Sequence, residues 1–390
     1  MQSLFNDNDA KAYKDAPLAM RVYTSRLLGQ SEDLVLHGGG NTSVKIDNTL
    51  YVKGSGWNLE TIEEAGFSPV DLQVLKDMAK LESLSDSDMV SQQRAALRDP
   101  DAPNPSIEAI LHAIIPFDFV DHTHTDAVVT ISNTPDGETR LKEIYGPKMI
   151  FVDYIMPGFD LAKHIYEQTK DTDWSNVDGI LLLNHGLFTF DDDAKKSYEK
   201  MIHLVTKAEE YIAKNSTLPT EEIAIDVDEA LMDEMQKEVS KLRGCEVTLT
   251  IIDSPVAAAF SNLDDATYYF NHGELTPEHV IRIKPFPAFI DNNAHEGISA
   301  FVVDYKTYFM QHSNESHICL DLAPRFAIVK GLGAVCFGKD EKEANVIADV
   351  VEHNLKAMLV AKQLGGWKSL SSQDVFNMEY WELEQAKLKK

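Results

Sequence analysis

The chain has 390 residues, of which 44% are hydrophobic, and this is enough for one large or two medium-sized globular domains. Its formal net charge of −27 at pH 7 argues against a nucleic-acid-binding protein, because binding to phosphate backbones depends on clustered Lys and Arg. Any phosphorylated ligand must therefore be held by local hydrogen-bond donors and not by a general positive field.

The cysteines and the apolar segments predict a soluble, cytoplasmic protein. Cys245, Cys319 and Cys336 are odd in number, far apart and in apolar or strand-like contexts, which favours buried free thiols in a reducing compartment. Residues 1–15 have neither the basic nor the apolar region of a secretory signal. No apolar run in the sequence approaches the ~18 residues that a membrane span needs. We therefore expect neither a membrane nor a nucleic acid as partner.

Predicted helices in the first part of the chain alternate with glycine-rich turns. Apolar spacing predicts a helix over residues 9–29, and residues 71–97 form a charged helical region. Between them lie the segment HGGGNTSVKID, the short strand TLYVK and the turn GSGW. After the proline-rich loop DPDAPNPS, we predict a helix that begins at Ser106, a residue type suited to the N-cap.

Three histidines follow in two predicted strands. His122 and His124 form an HxH pair in a strand predicted from Asp118 to Ile131, where residues i and i+2 point to the same face. His185 lies where the apolar strand GILLL ends in Asn-His-Gly. A single histidine in an apolar strand is usually a satisfied core residue. Three imidazoles that converge from two strands instead indicate a catalytic type of zinc site, with one coordination position left open.

Glu108 is the candidate acid/base. It shares a helix face with His112 at i and i+4, and the helix leads directly into the HxH strand. A carboxylate beside a Lewis-acid metal suits proton transfer at a carbon next to a carbonyl group. Taken alone, Glu108 would be interpreted as a helix-start residue favoured by the helix dipole.

The glycine-rich segments predict anion recognition. Backbone N–H groups in GGGN can approach a phosphate closely, and neighbouring side chains add further donors. Each of these segments alone is more often a plain turn or cap, but together they form three anion-suited loops before the metal site. The candidate substrate- or phosphate-binding residues are Gly40, Asn41, Ser43, Lys53, Ser55, Gly56 and Ser106.

The second part of the chain is less informative. A long helix from Ala194 to about Lys214 precedes a linker-like segment, Asn215 to Glu222, so we predict domains at 1–215 and 216–390, the second ending in a helical tail. GILLLNHGLFTFDDDAKKSYEKM and RFAIVKGLGAVCFGKDEKEANVI share a strand, turn, strand, helix pattern, with Leu332 opposite His185. Both a degenerate duplication that has lost its metal and a chance likeness of such units remain open.

Three other segments of the second part resemble functional motifs only superficially. GAVCFGK lacks the hydroxyl residue of a P-loop, because Asp340 follows it. We interpret Asn271-His272-Gly273 as a turn. The polar residues His279, Arg282 and Lys284 are expected in a solvated loop.

The motifs GGGNTSVK, KGSG, PSIEAILH, VDHTHTDAV and LLLNHGLFTF, in this order, resemble the class II aldolase/adducin family over residues 15–212. The resemblance implies a three-layer α/β/α sandwich with a largely antiparallel central sheet, and here an additional C-terminal α/β extension. It implies a homo-oligomer, usually a tetramer with sites between subunits. It further implies Zn²⁺ on the three histidines, Glu108 as acid/base, and phosphate binding by Gly40, Asn41, Ser55, Gly56 and Ser106. Ile107 departs from the family, in which a second hydroxyl residue is common, and this weakens the phosphate assignment.

The resemblance extends further along the chain. YVKGSGW, LAPRFAIVKGLG and NMEYWELEQAKL are similar to the aldolase half of bifunctional rhamnulose-phosphate aldolase/lactaldehyde dehydrogenase proteins. In those proteins the last segment precedes a dehydrogenase module. This sequence has no GxGxxG that opens a βαβ unit, so we expect no nicotinamide cofactor.

The expected function is a zinc-dependent class II aldolase that acts on a hydroxy-carbonyl sugar, with a ketose phosphate favoured, through a metal-stabilised enediolate. A second proton donor is needed for the departing aldehyde, and Tyr145 and Tyr154 are its candidates. An epimerase or decarboxylase of sugar phosphates or sugar acids that uses the same site is the first alternative. A non-catalytic adducin-like scaffold is the second alternative. The presence of all three histidines and Glu108 argues against it.

Overall fold

A computed structural model describes residues 1–221 and 227–386 and divides the chain into two compact units. The first unit comprises Met1–Val129 and Glu138–Tyr211. The second comprises Thr130–Gly137 together with the chain from Ile212 onward. The end of the predicted linker, Glu222, and the last four residues of the predicted helical tail lie outside the described residues.

The first unit contains a seven-stranded sheet and the helices that cover it. Its strands are β1 Asn41–Ile46, β2 Thr49–Lys53, β3 Phe67–Asp71, β4 Phe119–Thr123, β5 Met149–Val152, β6 Gly179–Leu182 and β7 Gly186–Asp191. The helices are α1 Asp7–Ala10, α2 Pro17–Gly29, α3 Leu72–Met78, α4 Asp86–Ala95, α5 Ala109–Ile114, α6 Asp126–Ser132, α7 Gly137–Tyr145, α8 Phe159–Thr169 and α9 Ala194–Asn215.

The strand order of this sheet is β3-β2-β1-β4-β7-β6-β5, and β5–β6 is its one parallel pair. One face packs against α3, α5 and α8 in the main hydrophobic core. Val44 and Phe119 on the other face pack against residues of α2 and α9. Helices therefore cover both faces, and the expected α/β/α sandwich with a largely antiparallel sheet is confirmed.

The second unit contains a four-stranded sheet in the order β8-β11-β10-β9 with its own hydrophobic core. Its strands are β8 Thr248–Ile252, β9 Ala288–Ile290, β10 Phe326–Val329 and β11 Gly333–Gly338. The helices are α10 Glu229–Arg243, α11 Pro255–Ser261, α12 Ala266–Phe270, α13 Val280–Ile283, α14 Ala294–His312, α15 Glu341–Gln363, α16 Ser372–Glu379 and α17 Glu382–Gln385.

The two similar sequence segments form similar local structures. β6–β7–α9 and β10–β11–α15 are each an antiparallel hairpin followed by a helix of 22 or 23 residues. Gly186 and Gly333 begin the second strand of each hairpin, and a Cβ on either would lie 2.2–2.4 Å from a backbone oxygen of the neighbouring chain segment. The hypothesis of a degenerate repeat stays open, with Leu332 at the place of His185.

Three sequence-based expectations about local structure are wrong. The strand predicted over residues 118–131 ends at Thr123, and α6 follows it. Residues 127–134 are all buried. A segment that is buried on every side lacks the alternation of polar and apolar residues by which a sequence distinguishes a strand from a helix. The helix predicted from Ser106 begins at Ala109. Of the three cysteines, all of which are free, Cys245 is exposed and not buried as expected.

Candidate active site

The three histidines converge at the ends of neighbouring strands of the first unit. His122 lies in β4, His124 follows that strand directly, and His185 occupies the turn between β6 and β7. One ring nitrogen from each lies within 4.8 Å of the other two. The Nε2 atoms of His122 and His124 are 3.0 Å apart. The convergence that the HxH and Asn-His-Gly motifs predict is thus present in the geometry.

The turn that carries His185 depends on its two neighbours. Asn184 adopts the left-handed conformation with φ 59°, which Asn tolerates better than most residues. The amide of His185 donates to the carbonyl of Leu182 at 3.2 Å and closes the turn. A Cβ on Gly186 would lie 2.4 Å from the Thr123 oxygen and 2.9 Å from Cε1 of His122. Only glycine therefore allows the turn to approach the HxH segment this closely.

The donor set fits a divalent metal ion. His122 Nδ1 lies 3.2 Å from the carbonyl oxygen of Leu187, and as an N–H donor there it leaves Nε2 with the lone pair that a metal needs. The Phe188 ring stacks on the same imidazole at a centroid distance of 4.0 Å and restricts its rotation. Three neutral imidazoles at these separations suit one ion with Zn–N bonds of about 2.0–2.1 Å.

Glu108 lies beside the histidines at the start of α5. It is 5% exposed, and its Oε2 is 3.5 Å from His122 Nε2 while its Oε1 is 3.8 Å from His185 Nε2. Oε1 has no hydrogen-bond partner among the residues that the structure describes. One carboxylate oxygen is therefore held near the imidazoles and remains available for a proton.

Asn41 and Ser43 lie behind Glu108 in β1. The Asn41 amide donates to Glu108 Oε2 at 2.6 Å, and its oxygen contacts His112 Nε2. The Ser43 hydroxyl is 2.8 Å from His112 Nδ1, and both side chains are fully buried. Ser43 is thus a partner of His112, and its predicted part in anion binding stays a prediction. The helical spacing of Glu108 and His112 was visible in the sequence, whereas their link through Asn41 was not.

Contacts also join the three predicted anion-binding loops. The Lys53 Nζ donates to the Gly38 carbonyl at 3.2 Å, and the Lys53 carbonyl accepts from the Ser106 amide at 3.0 Å. Ser106 Oγ in turn accepts from the Glu108 amide at 3.3 Å. The Ser55 amide donates to the Asn104 carbonyl at 2.8 Å, and the predicted role of Ser55 in ligand binding stays a prediction. Hydrogen bonds thus link the three loops to one another, and the last loop leads to Glu108.

Two glycines of these loops need their conformational freedom. Gly40 and Gly56 have φ values of 61° and 91°. A Cβ on Gly40 would lie 2.7 Å from the carbonyl oxygen of His122, whereas the space beside Gly56 is open to 4 Å. Gly40 therefore packs against the HxH strand, and Gly56 leaves room for a ligand to approach its backbone.

A buried ion pair that the sequence analysis missed lies beneath the HxH strand. Arg21 Nη2 is 2.5 Å from Asp121 Oδ1, and neither side chain is exposed. Asp121 Oδ2 accepts from Ser197 Oγ at 2.5 Å. The pair joins α2 and α9 to β4 directly before His122. The sequence feature that could have indicated this pair is Asp121, a charged residue within the buried strand β4.

The two candidate tyrosines occupy different environments. The Tyr145 hydroxyl donates to the Leu204 carbonyl at 2.9 Å, and burial raises the pKa of Tyr145 well above its ordinary value. Tyr145 is therefore held in the core and is not suited to proton transfer at neutral pH. Tyr154 lies just after β5 and is half-buried. Its role as proton donor stays a prediction.

The polar residues of the second unit are not in a solvated loop, as the sequence had suggested. His279 and Lys284 are 7% and 2% exposed. The Lys284 Nζ lies 3.9 Å from the centroid of the Tyr305 ring, and burial lowers the pKa of Lys284 to about 7. Glu379 accepts a hydrogen bond of 2.7 Å from Tyr305, and burial raises the pKa of Glu379 to about 7. Lys284, Tyr305 and Glu379 form a buried polar cluster of the second unit, whereas His279 Nδ1 lies 3.0 Å from Asn354 Nδ2.

Two family profiles match almost the whole chain. Residues 20–212 match the profile described as class II aldolase and adducin N-terminal domain. Residues 226–388 match the profile described as aldolase class II, second domain. The boundary between the two matches lies close to the boundary between the compact units.

Individual relatives agree with these matches. The N-terminal class II aldolase domain of a conserved protein from Thermoplasma acidophilum is 37% identical, covers 54% of this chain and 99% of its own, and superposes with a TM-score of 0.50. A Bacillus subtilis protein named uncharacterized oxidoreductase YuxG is 29% identical over an alignment of 399 residues that covers 94% of this chain. The chain spans 57% of the length of that relative. None of the helices within residues 1–221 and 227–386 is both long and apolar enough to cross a membrane.

Proposed function

Because this chain belongs to the class II aldolase and adducin family, we propose that it is a zinc-dependent lyase that cleaves or forms a carbon–carbon bond in a hydroxy-carbonyl sugar. A ketose phosphate is the substrate class that the site suits best. The observation that carries the proposal is the free carboxylate oxygen of Glu108 beside three converging imidazoles. Neither the carboxylate nor the histidines alone would distinguish this site from a buried polar cluster.

His122, His124 and His185 would hold the zinc ion through one ring nitrogen each. Zinc bound there would act as a Lewis acid on the carbonyl and adjacent hydroxyl oxygens of the sugar. In the cleavage direction the carbon–carbon bond breaks, and its electron pair stays on the carbon next to the carbonyl group. Glu108 gives a proton to that carbon, and in the synthesis direction it removes the same proton. A second group takes the hydroxyl proton of the departing aldehyde, and Tyr154 is the candidate.

The linked glycine loops would hold the phosphate group. Gly56 and Ser55 present a backbone amide and a hydroxyl at an open part of the loop, and Lys53 and Ser106 lie next to them. Such local donors are needed because the chain's net charge of −27 provides no general attraction for an anion. Since Ile107 stands where a second hydroxyl is common in the family, an unphosphorylated sugar is the alternative substrate to compare.

The test is a metal-loaded enzyme assayed with ketose phosphates, the matching free ketoses and sugar acids. Two carbonyl fragments would identify an aldolase, a single stereoisomer an epimerase, and CO₂ a decarboxylase. We expect Glu108→Gln to keep its zinc and to lose about 10²- to 10⁴-fold in turnover, the range for a positioned acid/base group. Glu82→Gln, which changes an exposed glutamate of the first unit, is the control.

Two outcomes would contradict the proposal. Zinc retained in Glu108→Gln with undiminished turnover would remove this residue from the mechanism. A purified chain that binds no metal and stays active in chelator would remove the metal as well. A chain that neither binds zinc nor turns over any substrate of the panel would instead favour a scaffold protein.

A further inference from the structure

Three hydrogen-bonded side chains connect the interior of the first unit to Glu108, and we call them the Ser43–His112–Asn41 relay. Ser43 Oγ contacts His112 Nδ1 at 2.8 Å, His112 Nε2 contacts Asn41 Oδ1, and Asn41 Nδ2 donates to Glu108 Oε2 at 2.6 Å. All three members of the relay are at most 6% exposed. The relay touches none of the three predicted metal ligands through these bonds.

The directions of the three bonds follow from the chemistry of Glu108. A carboxylate oxygen that carries no hydrogen only accepts hydrogen bonds, so the Asn41 atom 2.6 Å from Glu108 Oε2 is the amide nitrogen. The flipped amide would bring two oxygen acceptors together at that distance. With Nδ2 facing Glu108, the Asn41 oxygen faces His112, and a carbonyl oxygen only accepts. His112 Nε2 must therefore carry the hydrogen.

The same logic fixes the other end of the relay. A neutral imidazole with its hydrogen on Nε2 has a lone pair on Nδ1, which accepts from the Ser43 hydroxyl. His112 is kept neutral because burial lowers its pKa well below the ordinary value, and nearby positive groups act in the same direction. Every bond of the relay thus points from Ser43 toward the carboxylate.

We propose that His112 is a positioning residue that holds the Asn41 amide as a donor to Glu108 and so keeps the other carboxylate oxygen directed at the substrate. The inference rests on the proposed function, since it concerns how the acid/base of that reaction is oriented. Without the Nε2 donor, the Asn41 amide can rotate and Glu108 Oε2 loses the Asn41 donor. A loss of orientation affects the proton-transfer step more than substrate binding, because His112, the residue to be changed, is fully buried and needs no contact with the substrate.

Two substitutions of His112 separate this role from simple packing. A glutamine at 112 places its amide near the position of Nε2 and can donate to Asn41, whereas an asparagine reaches only the position of Nδ1. We expect His112→Asn to lower kcat at least about tenfold with KM within about threefold, and His112→Gln to recover most of the loss. Both variants should keep stoichiometric zinc. His164→Asn, on the exposed face of α8, is the control for loss of an imidazole.

The tautomer of His112 gives a readout that does not depend on catalysis. Nitrogen-15 NMR of histidine-labelled natural protein should show His112 neutral, with a protonated Nε2 and an unprotonated Nδ1, and Ser43→Ala should shift the Nδ1 signal. A protonated Nδ1 would overturn the relay even if the enzyme is an aldolase. Equal kcat in His112→Asn and His112→Gln would also overturn it. A natural chain without lyase activity but with the expected tautomer would contradict the proposed function and leave the hydrogen-bond directions intact.

Discussion

At the scale of single residues, Gly186 decides whether His185 can reach the HxH pair. Gly186→Ala would force a Cβ to within 2.4 Å of the Thr123 oxygen and 2.9 Å of the His122 ring, so we expect the hairpin turn to move away from β4. Displaced ligands bind metal more weakly, and a loss of about 10- to 100-fold in zinc affinity is expected. Competition with a chromogenic chelator measures it.

Gly29→Ala is the matched control for this prediction. Its Cβ would lie 2.1 Å from the Glu60 amide nitrogen, also in the first unit, but far in sequence from the histidines and with none of them among its closest atoms. We expect this variant to be destabilised while its zinc affinity stays the same. Equal zinc affinities of Gly186→Ala and the natural protein would show that the close approach at Gly186 does not position the ligands.

Glu379 should make stability depend on pH. Burial raises the pKa of Glu379 from 4.5 to about 7 in the folded chain, so the fold prefers the protonated carboxyl. This contribution to stability is fully present below pH ~4.3, the unfolded pKa, and is lost as the pH rises through 7. Glu379→Gln imitates the protonated form and keeps an acceptor for Tyr305. We expect it to raise the free energy of unfolding at pH 8 by up to about 3 kcal/mol.

Chemical denaturation at pH 4.5 and pH 8 measures the effect of Glu379→Gln. At pH 4.5 the natural carboxyl is protonated in the fold, so the variant should differ little from the natural protein. Glu315→Gln, which changes an exposed loop glutamate of the second unit, should have no effect at either pH. A change of the same size at both pH values would show that packing, and not titration, explains the effect.

At the scale of elements, the sequence predicted the site better than it predicted the elements that carry the site. The period-2 spacing of His122 and His124 and the Asn-His-Gly turn each encode short-range geometry, and the pairing of β4 with β7 brings the two motifs together. The β-branched run of residues 128–131 favoured a strand, yet it forms α6 and is buried on all sides. Tertiary packing overrode local propensity there. The hydrogen bond from Asn41 to Glu108 joins residues 67 positions apart, and no motif in the sequence indicated it.

The Arg21–Asp121 pair joins α2 to β4 and should behave as a buried ion pair. Arg21→Met leaves the Asp121 carboxylate without its cation, and Asp121→Asn leaves the Arg21 guanidinium without its anion. Each single change is expected to cost about 3–5 kcal/mol of unfolding free energy. The double variant should recover a large part of that cost, because no uncompensated charge remains.

Denaturant titration of the two single variants and the double variant completes this cycle. Lys80→Met, which breaks the exposed Lys80–Asp77 pair of the same unit, should leave the midpoint unchanged, since water already solvates both groups. If the double variant were as unstable as the sum of the single ones, the pair would not be coupled. The contribution of α2 to the position of β4 would then have to come from its apolar contacts.

At the scale of the whole molecule, the family motifs predicted more than the composition did. The net charge of −27 and the length of 390 residues limited the expected classes of protein, and the family motifs predicted the α/β/α sandwich. The buried polar cluster of the second unit could not be predicted from the sequence, because its polar residues resemble those of a solvated loop. Lys284 and Glu379 are nonetheless buried against Tyr305 and its neighbours, and burial of such residues depends on partners distant in the chain.

Metal removal and Glu379→Gln should have additive effects on the free energy of unfolding of the whole chain. Zinc that binds the folded histidines stabilises them by about 2.7 kcal/mol at a free concentration 100 times Kd, and chelation removes this contribution. Glu379 has no hydrogen-bond partner in common with His122, His124 or His185 among the bonds described above. The effects of independent sites on the free energy of unfolding add to within about 0.3–0.5 kcal/mol.

Hydrogen exchange measured by mass spectrometry should show faster exchange of β4 and β7 in chelator. At pH 8, Glu379→Gln should slow the exchange of α16 equally with and without zinc. An effect of chelation on α16 larger than its effect on β4 would contradict zinc binding at the three histidines.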